Sequence, residues 1–392
     1  MCIRDSRYVE NARNLPVFIL QGGADDNVPP YHPRLFVQRL EHLGYEYAYK
    51  EDPDRGHWWS IDSLGVSCVD DPDLIGFFPE KSRERFPRHV SLKTASIACC
   101  SKAYWIELRA QDVPYRDSRI DAKVNGDTVR IDTENVRSLQ VTLSRQLFPG
   151  GRATVLLGGE SRTYNFKDQT VLTFSRRAGG FMQGEAEPDG LVKTPYLYGP
   201  IKQATFSPFV LVYGTTGDAA MTDLLLHQAR LKAFQWWRRA NGLVEIVPDT
   251  LVTPAVVESR NLVLFGGPDE NSVVARIGKD LPVRRIEESI YLGNERIPGE
   301  GIAACFVYPN PQSPGRLVTV YMGSDLKGQE ISTSFRSVYS GSGLPDFIIF
   351  DGSVRSLGWG GMIAAGFFDS RWRLDRDLCY FKYGWHRDRQ EP

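Results

Sequence analysis

The chain has 392 residues, a formal net charge of −1 at pH 7, and 42% hydrophobic against 24% charged residues. This is an ordinary globular composition with room for two or three domains, and it excludes extensive disorder. Because there is no basic surplus, no nucleic-acid partner is expected. No apolar run reaches the roughly 18 residues of a membrane-spanning helix, so we expect no membrane span. The six cysteines have neither metal-binding nor disulfide-scaffold spacing, and no metal or cofactor is predicted.

The first 60 residues alternate strand and helix signals. An apolar run at residues 17–20 predicts a buried strand that opens into the Gly-rich loop 21–29. Helical spacing of apolar residues follows at 33–43, and alternating tyrosines at 45–49 predict a second strand. Strands of such a unit pair in parallel, so the loops that follow them meet at one edge of the sheet.

Those two loops carry the candidate chemistry. Asp25 and Asp26 follow the first strand, and His57 follows the second. An acid and a histidine on successive strand-end loops are two of the three groups of a hydrolase triad, and either aspartate could orient the imidazole. An isolated aspartate in a turn, or a lone histidine in a loop, is usually structural. Here the order and the spacing of the residues favour a catalytic pair.

These residues resemble the C-terminal end of the α/β-hydrolase domain of prolyl-oligopeptidase-like serine peptidases, which include the dipeptidyl peptidases. In that family a Gly-x-x-Asp-Asp/x-Asn-Val loop supplies the triad acid, and a later Gly-His or Asp-His step supplies the base. The resemblance implies that Asp25 is the acid and His57 is the base. Gln21 departs from the family pattern, which usually has histidine before the glycine. The predicted supporting residues are Asp26 and Asn27 in the acid loop and Trp58 beside the histidine.

The third triad member has no candidate motif. In α/β-hydrolases the nucleophile precedes the acid in a Gly-x-Ser-x-Gly elbow. Residues 65–69 lack the second glycine of this motif and residues 340–343 lack the first. Residues 1–24 are too few to hold the elbow strand and its helix. We therefore expect an N-terminally truncated chain whose serine lies upstream of residue 1, and a fragment that is inactive alone.

The rest of the chain predicts two further domains. Residues 89–195 contain short alternating strands, and Asn125-Gly126 between two of them predicts a hairpin. Regular spacing of such strands predicts a β-sandwich of immunoglobulin-like size. Residues 196–392 alternate apolar strands with helices, which predicts a second, flavodoxin-like α/β domain of unknown role. The expected fold class is thus α/β plus all-β, with a partial α/β-hydrolase domain at 1–88.

Two Gly-rich loops in the last region, 214–218 and 266–271, follow predicted strands. A helix N-terminus after a strand can bind an anion, but the glycine spacing fits neither the dinucleotide nor the P-loop fingerprint. Plain strand-to-helix turns are therefore favoured. Three polar residues at this sheet edge are candidates for ligand binding, namely Asp218, Asp249 and Asp269. For them, too, a structural role is favoured over a ligand site.

The sequence thus predicts the C-terminal part of a serine hydrolase, in first place a prolyl-oligopeptidase-type peptidase with a peptide substrate. One alternative is an esterase that uses the same triad on an ester substrate. The other is a non-catalytic module that binds carbohydrate or protein. The sequence does not indicate the oligomeric state, and it leaves periplasmic and secreted locations open.

Overall fold

The computed structural model describes residues 5–62, 65–185, 190–339 and 342–384. The chain divides into two compact units, Met1–Pro188 and Asp189–Pro392. Strands and helices are mixed, so the protein combines α/β and β architecture as the sequence predicts. The division into domains at 1–88, 89–195 and 196–392 stays a prediction. Of the helices in the described ranges, none is long and apolar enough to cross a membrane.

The first unit begins with the predicted parallel strand–helix–strand arrangement. Strands β1 (Phe18–Gly22) and β2 (Ala48–Asp52) pair in parallel and are joined by helix α1 (Tyr31–His42). The helix buries Val37 and Leu40 in a small apolar cluster with β1. Because the pairing is parallel, the loops after β1 and β2 leave the same edge of this sheet.

Ion pairs hold the far end of the loop that follows β2. It runs into a short helix, α2 (Pro72–Phe77), whose N-terminus is capped by the Asp71 carboxylate. The Nζ atom of Lys50 in β2 lies 2.9 Å from that carboxylate and 2.7 Å from Asp73. The ion pairs thus link the end of the loop back to the strand from which it started.

Ten further strands complete the first unit as two five-stranded sheets, with the orders β10-β9-β7-β6-β3 and β12-β11-β8-β5-β4. In β6 every second residue is buried, which is the pattern of a sheet with one face against a core. The predicted hairpin forms, with Asn125 paired to Thr128. Assignment of this region to an immunoglobulin-like sandwich stays a prediction. The bounds are β3 His89–Thr94, β4 Lys102–Ala103, β5 Ile106–Gln111, β6 Ser118–Asn125, β7 Thr128–Glu134, β8 Val136–Ser144, β9 Arg152–Leu157, β10 Glu160–Asn165, β11 Gln169–Arg177 and β12 Gly180–Gln183.

The second unit is built on an eight-stranded sheet of order β14-β13-β15-β20-β19-β21-β22-β23. Its parallel half has the order 2-1-3-4 along the chain, which is the flavodoxin pattern. The other half is antiparallel and departs from a flavodoxin-like sheet. Strand β19 turns into β20 through residues 311–312, a connection too short for the crossover that parallel pairing needs. The bounds are β13 Phe209–Tyr213, β14 Ile246–Pro248, β15 Asn261–Phe265, β19 Ala303–Asn310, β20 Ser313–Gly323, β21 Phe347–Phe350, β22 Met362–Phe368 and β23 Leu374–Phe381.

Helices and a small sheet flank these strands. A 22-residue helix, α3 (Ala219–Ala240), follows β13 and buries Leu225 and Ala229. The small antiparallel sheet contains β16 (Val283–Ile286), β17 (Ser289–Leu292) and β18 (Glu295–Ile297). Further α-helices in the described part of this unit are α4 Pro254–Ser259, α5 Ser272–Ile277, α6 Leu326–Ile331 and α7 Val354–Leu357.

Candidate active site

The loops after β1 and β2 bring Asp25 and His57 into contact. The Nδ1 atom of His57 lies 2.9 Å from Oδ2 of Asp25, across 32 residues of sequence. The Asp25 side chain is 6% exposed, whereas the imidazole is 30% exposed. A buried carboxylate therefore binds one ring nitrogen of a partly exposed imidazole, which is an arrangement that can orient a histidine for proton transfer.

The Asp25 carboxylate is held by the loop that carries it. Its Oδ1 accepts hydrogen bonds from the backbone amides of Asn27 (2.9 Å) and Val28 (2.8 Å). Burial by itself would raise the pKa of this carboxyl, but the hydrogen bonds from the loop amides and from the imidazole outweigh it, and the pKa lies below its ordinary value. Asp25 is therefore ionised at neutral pH.

Gln21, which the sequence showed only as a departure from the family pattern, is a buried part of the site. Its Nε2 donates to the carbonyl oxygens of Gly22 (2.7 Å) and Val28 (3.2 Å), and it lies 3.3 Å from Oδ2 of Asp25. Three acceptors around one amide nitrogen fix the orientation of the buried carboxamide. Its position at the end of an apolar strand and its departure from the family pattern were the signals in the sequence, and neither identified a partner.

Two glycines allow the acid loop and the histidine loop to touch. A Cβ on Gly22 would lie 2.2 Å from the carbonyl oxygen of Gly56, and one on Gly23 would lie 2.6 Å from the Cα of Pro53. Neither distance is sterically available to a side chain. The backbone approach therefore requires glycine at both positions, and it brings the peptide before His57 against the strand that leads to Asp25.

The outer side of His57 borders a cavity of about 350 Å³ whose lining includes Asp25, Trp58 and several apolar residues of β1. Trp58 packs edge-on against the imidazole, with ring centroids 5.2 Å apart, and is 69% exposed. Within the described ranges, Nε2 of His57 has no hydrogen-bond partner. Of the two ring nitrogens, Nδ1 is bound to Asp25, and Nε2 is left without a partner among the described residues.

The structure separates the two aspartates of the loop. Asp26 and Asn27 are both exposed, and the only loop carboxylate in contact with His57 is that of Asp25. Among the predicted supporting residues, Asn27 contributes its backbone amide and Trp58 contributes its ring. The role of Asp26 stays a prediction.

A second cluster of serine, aspartate and histidine occurs between β3 and β6. Nε2 of His89 lies 2.9 Å from Oδ1 of Asp121, and the Ser91 hydroxyl donates to Oδ2 of the same carboxylate at 2.8 Å. The hydroxyl therefore contacts the acid and not the imidazole. Since a triad needs the base beside the nucleophile, this arrangement does not activate Ser91.

The Gly-rich loops of the second unit are packed turns. The Asp218 carboxylate caps α3, and the buried Asp249 accepts from the Thr215 hydroxyl and the Ser272 amide, both at 2.6 Å. Asp269 pairs with Arg285. All three predicted polar candidates thus have protein partners. In the ranges that the structure describes, no group of three or more His, Cys, Asp or Glu is arranged to hold a metal ion.

Comparison with known proteins connects this site to one family. Residues 3–71, which include Asp25 and His57, match the prolyl oligopeptidase family. The chain is also 25% identical over 384 residues to an uncharacterized secreted protein of the fungus Arthroderma benhamiae. That alignment covers 93% of this chain and 40% of the relative, so the chain spans less than half the length of the relative. The region around the Asp25–His57 pair is thus similar to a family of serine hydrolases.

Proposed function

We propose that Asp25 and His57 are the acid and the base of a Ser-Asp-His triad in a peptidase of the prolyl oligopeptidase type. The observation that carries this proposal is the 2.9 Å contact between Nδ1 of His57 and the buried, ionised Asp25, while Nε2 has no hydrogen-bond partner in the part of the chain that the structure describes. In this mechanism Nε2 takes the proton of a serine hydroxyl and returns it to the leaving amine. Asp25 fixes the ring tautomer and stabilises the imidazolium.

The serine is proposed to come from a segment outside these 392 residues. No Gly-x-Ser-x-Gly motif occurs in them. In addition, the strand before the acid loop has an available edge, since among the described strands only β2 pairs with β1. An apolar strand in an α/β sheet is normally covered on both sides, so a further strand beside β1 would bring its own loop to the edge where His57 lies.

The test is made on the proposed longer protein, in which this chain follows the segment that supplies the serine, with peptide and ester substrate panels. We expect His57→Ala to lower turnover by about 10⁴-fold or more. The control is His42→Ala, since His42 is exposed on α1 and should leave turnover unchanged. Unchanged turnover in His57→Ala would remove His57 from the mechanism. Preference for ester over peptide substrates would keep the triad and replace the peptidase assignment by an esterase.

A fluorophosphonate probe tests the origin of the nucleophile. The 392-residue chain alone should not be labelled at any serine, whereas the longer protein should be labelled once, outside this chain. Labelling of a serine within residues 1–392 would overturn the proposal that the nucleophile comes from elsewhere.

A further inference from the structure

A second cavity lies in the other unit and is unrelated to the Asp25–His57 pair. It has a volume of about 250 Å³. Its lining includes Met322 near the end of β20 and Pro268 just after β15. These two strands are parallel neighbours, and open α/β sheets bind ligands beyond the carboxyl ends of such strands.

The side chains that line this cavity are either apolar or cationic. Its interior wall consists of buried apolar side chains, among them Val274, Leu281 and Met322. Ile286 continues this apolar surface and is 48% exposed. None of the lining residues is acidic, although the chain as a whole has 48 acidic and 47 basic residues. The polar side chains that line the cavity are all cationic: Lys279, Arg284 and Arg285.

The three cationic side chains differ in the ion pairs and hydrogen bonds that they already form. Arg285 pairs with Asp269 at 2.7 Å and with Glu270 at 2.9 Å. Arg284 donates to the carbonyl oxygen of Gly293 at 2.8 Å. Lys279 is exposed, and in the described part of the chain it forms no ion pair. One unneutralised ammonium therefore stands beside an apolar cavity.

Arg285 adds a second polar feature. Its side chain is 5% exposed, and its Nε atom has no hydrogen-bond partner among the described residues. A Cβ on Gly267 would lie 2.8 Å from the guanidinium carbon, so the loop after β15 has room for this arginine only because residue 267 is glycine. The charge of this guanidinium is already compensated by Asp269 and Glu270, so Lys279 is the lining cation that remains for an anionic guest.

We propose that this cavity binds a small apolar carboxylate. The apolar body contacts Val274, Leu281 and Met322, and the carboxylate lies at the ammonium of Lys279. Ligand pockets for drug-sized molecules have roughly 300 to 1,000 Å³, so the smaller volume here limits the guest to a short chain or a single ring. A zwitterion or an amine is disfavoured by the cationic lining. This assignment does not depend on the proposed peptidase activity.

Binding is measured on the 392-residue chain by NMR of its methionine methyl groups, because Met322 lines the cavity and the chain has only five methionines. The probes are hexanoate, 1-hexanol and hexylammonium. We expect hexanoate to shift the Met322 methyl resonance in a saturable way, 1-hexanol to bind more weakly, and hexylammonium to leave the resonance unchanged. No saturable shift with hexanoate up to about 10 mM would overturn the proposal, as would equal binding of hexylammonium.

Two variants test the assigned contacts. Lys279→Gln should weaken hexanoate about two- to fivefold, the range of an exposed ion pair, and leave 1-hexanol unchanged. Lys382→Gln, at another exposed lysine of the same unit, is the control. Ala275→Trp, at a lining position, should fill the cavity and abolish binding of both probes, while the other methionine resonances report that the fold is intact. Undiminished hexanoate binding in Lys279→Gln would contradict a carboxylate site.

Discussion

The Nδ1 atom of His57 lies 2.9 Å from Oδ2 of Asp25, and no comparable contact joins the imidazole to the neighbouring Asp26, which is exposed. Two adjacent carboxylates on one loop therefore have different environments. One is buried and bound by amides and the imidazole, and the other faces solvent. This difference makes the two aspartates a matched pair for experiments.

Asp25→Asn should remove the acceptor of the Nδ1 hydrogen bond, whereas Asp26→Asn should leave it intact. In ¹H NMR of the 392-residue chain, we expect a downfield Nδ1–H resonance of His57 in the wild type and in Asp26→Asn, but not in Asp25→Asn. In the longer protein, Asp25→Asn should lower turnover by about 10⁴-fold, because an amide stabilises the wrong tautomer. Equal losses in the two variants would contradict the assignment of Asp25.

Gln21→Glu should destabilise the acid loop. It would put a carboxylate against three acceptors, the carbonyls of Gly22 and Val28 and Oδ2 of Asp25. We expect the free energy of unfolding of the first unit to fall by about 1–3 kcal/mol in urea titrations. Gln169→Glu, at an exposed position of β11, is the control and should have little effect.

Gln21→Glu can be combined with Asp25→Asn in a double variant. If the loss comes from repulsion between carboxylates, adding Asp25→Asn should recover part of the stability that Gln21→Glu costs. A strictly additive double variant would mean that Gln21 does not interact with Asp25.

Gly22→Ala should force the acid loop away from the histidine loop. The added Cβ would be 2.2 Å from the carbonyl oxygen of Gly56, and backbone shifts of this kind typically cost about 1–3 kcal/mol. We expect a lower free energy of unfolding together with loss of the His57 Nδ1–H resonance. Gly56→Ala is the matched control from the other side of the contact, since a Cβ there meets no heavy atom within 4 Å. Retention of the resonance in Gly22→Ala would show that the loops can separate without breaking the pair.

Lys232→Met should stabilise the second unit in a pH-dependent manner. Lys232 is buried on α3, its Nζ lies 3.2 Å from the Ser337 hydroxyl, and burial lowers its pKa to about 8 from an ordinary value of 10.5. Below pH 8 the folded protein holds a buried ammonium, so the charge destabilises it fully. Above pH 8 the cost decreases until the unfolded lysine also loses its proton.

The expected gain for Lys232→Met is on the order of 3 kcal/mol at pH 7, and it should shrink steadily between pH 8 and pH 10.5. Urea unfolding at several pH values measures it. Lys327→Met, at an exposed lysine, should give no such pH-dependent difference. A gain for Lys232→Met that stays constant across this range would mean that the lysine is not desolvated.

The sequence by itself determined the elements with a strong local period. Apolar spacing at 33–43 was sufficient for α1, and the Asn125-Gly126 turn was sufficient for its hairpin. The strand–helix–strand order near the N-terminus also fixed the parallel pairing of β1 with β2. That pairing placed the Asp25 and His57 loops at one sheet edge, because strand direction follows from the length of the connection.

Only the tertiary structure decided which groups meet at that edge. The contact of His57 with Asp25 and the approach of Gly22 to Gly56 join residues from different segments, and the acceptors around Gln21 meet only when its loop folds back on itself. The antiparallel half of the second sheet and the burial of Lys232 are likewise results of long-range packing. Hydrophobic periodicity indicates which face of a helix or strand is buried. A buried polar contact depends in addition on the distance between the two groups, and this distance is fixed only when the whole core is packed.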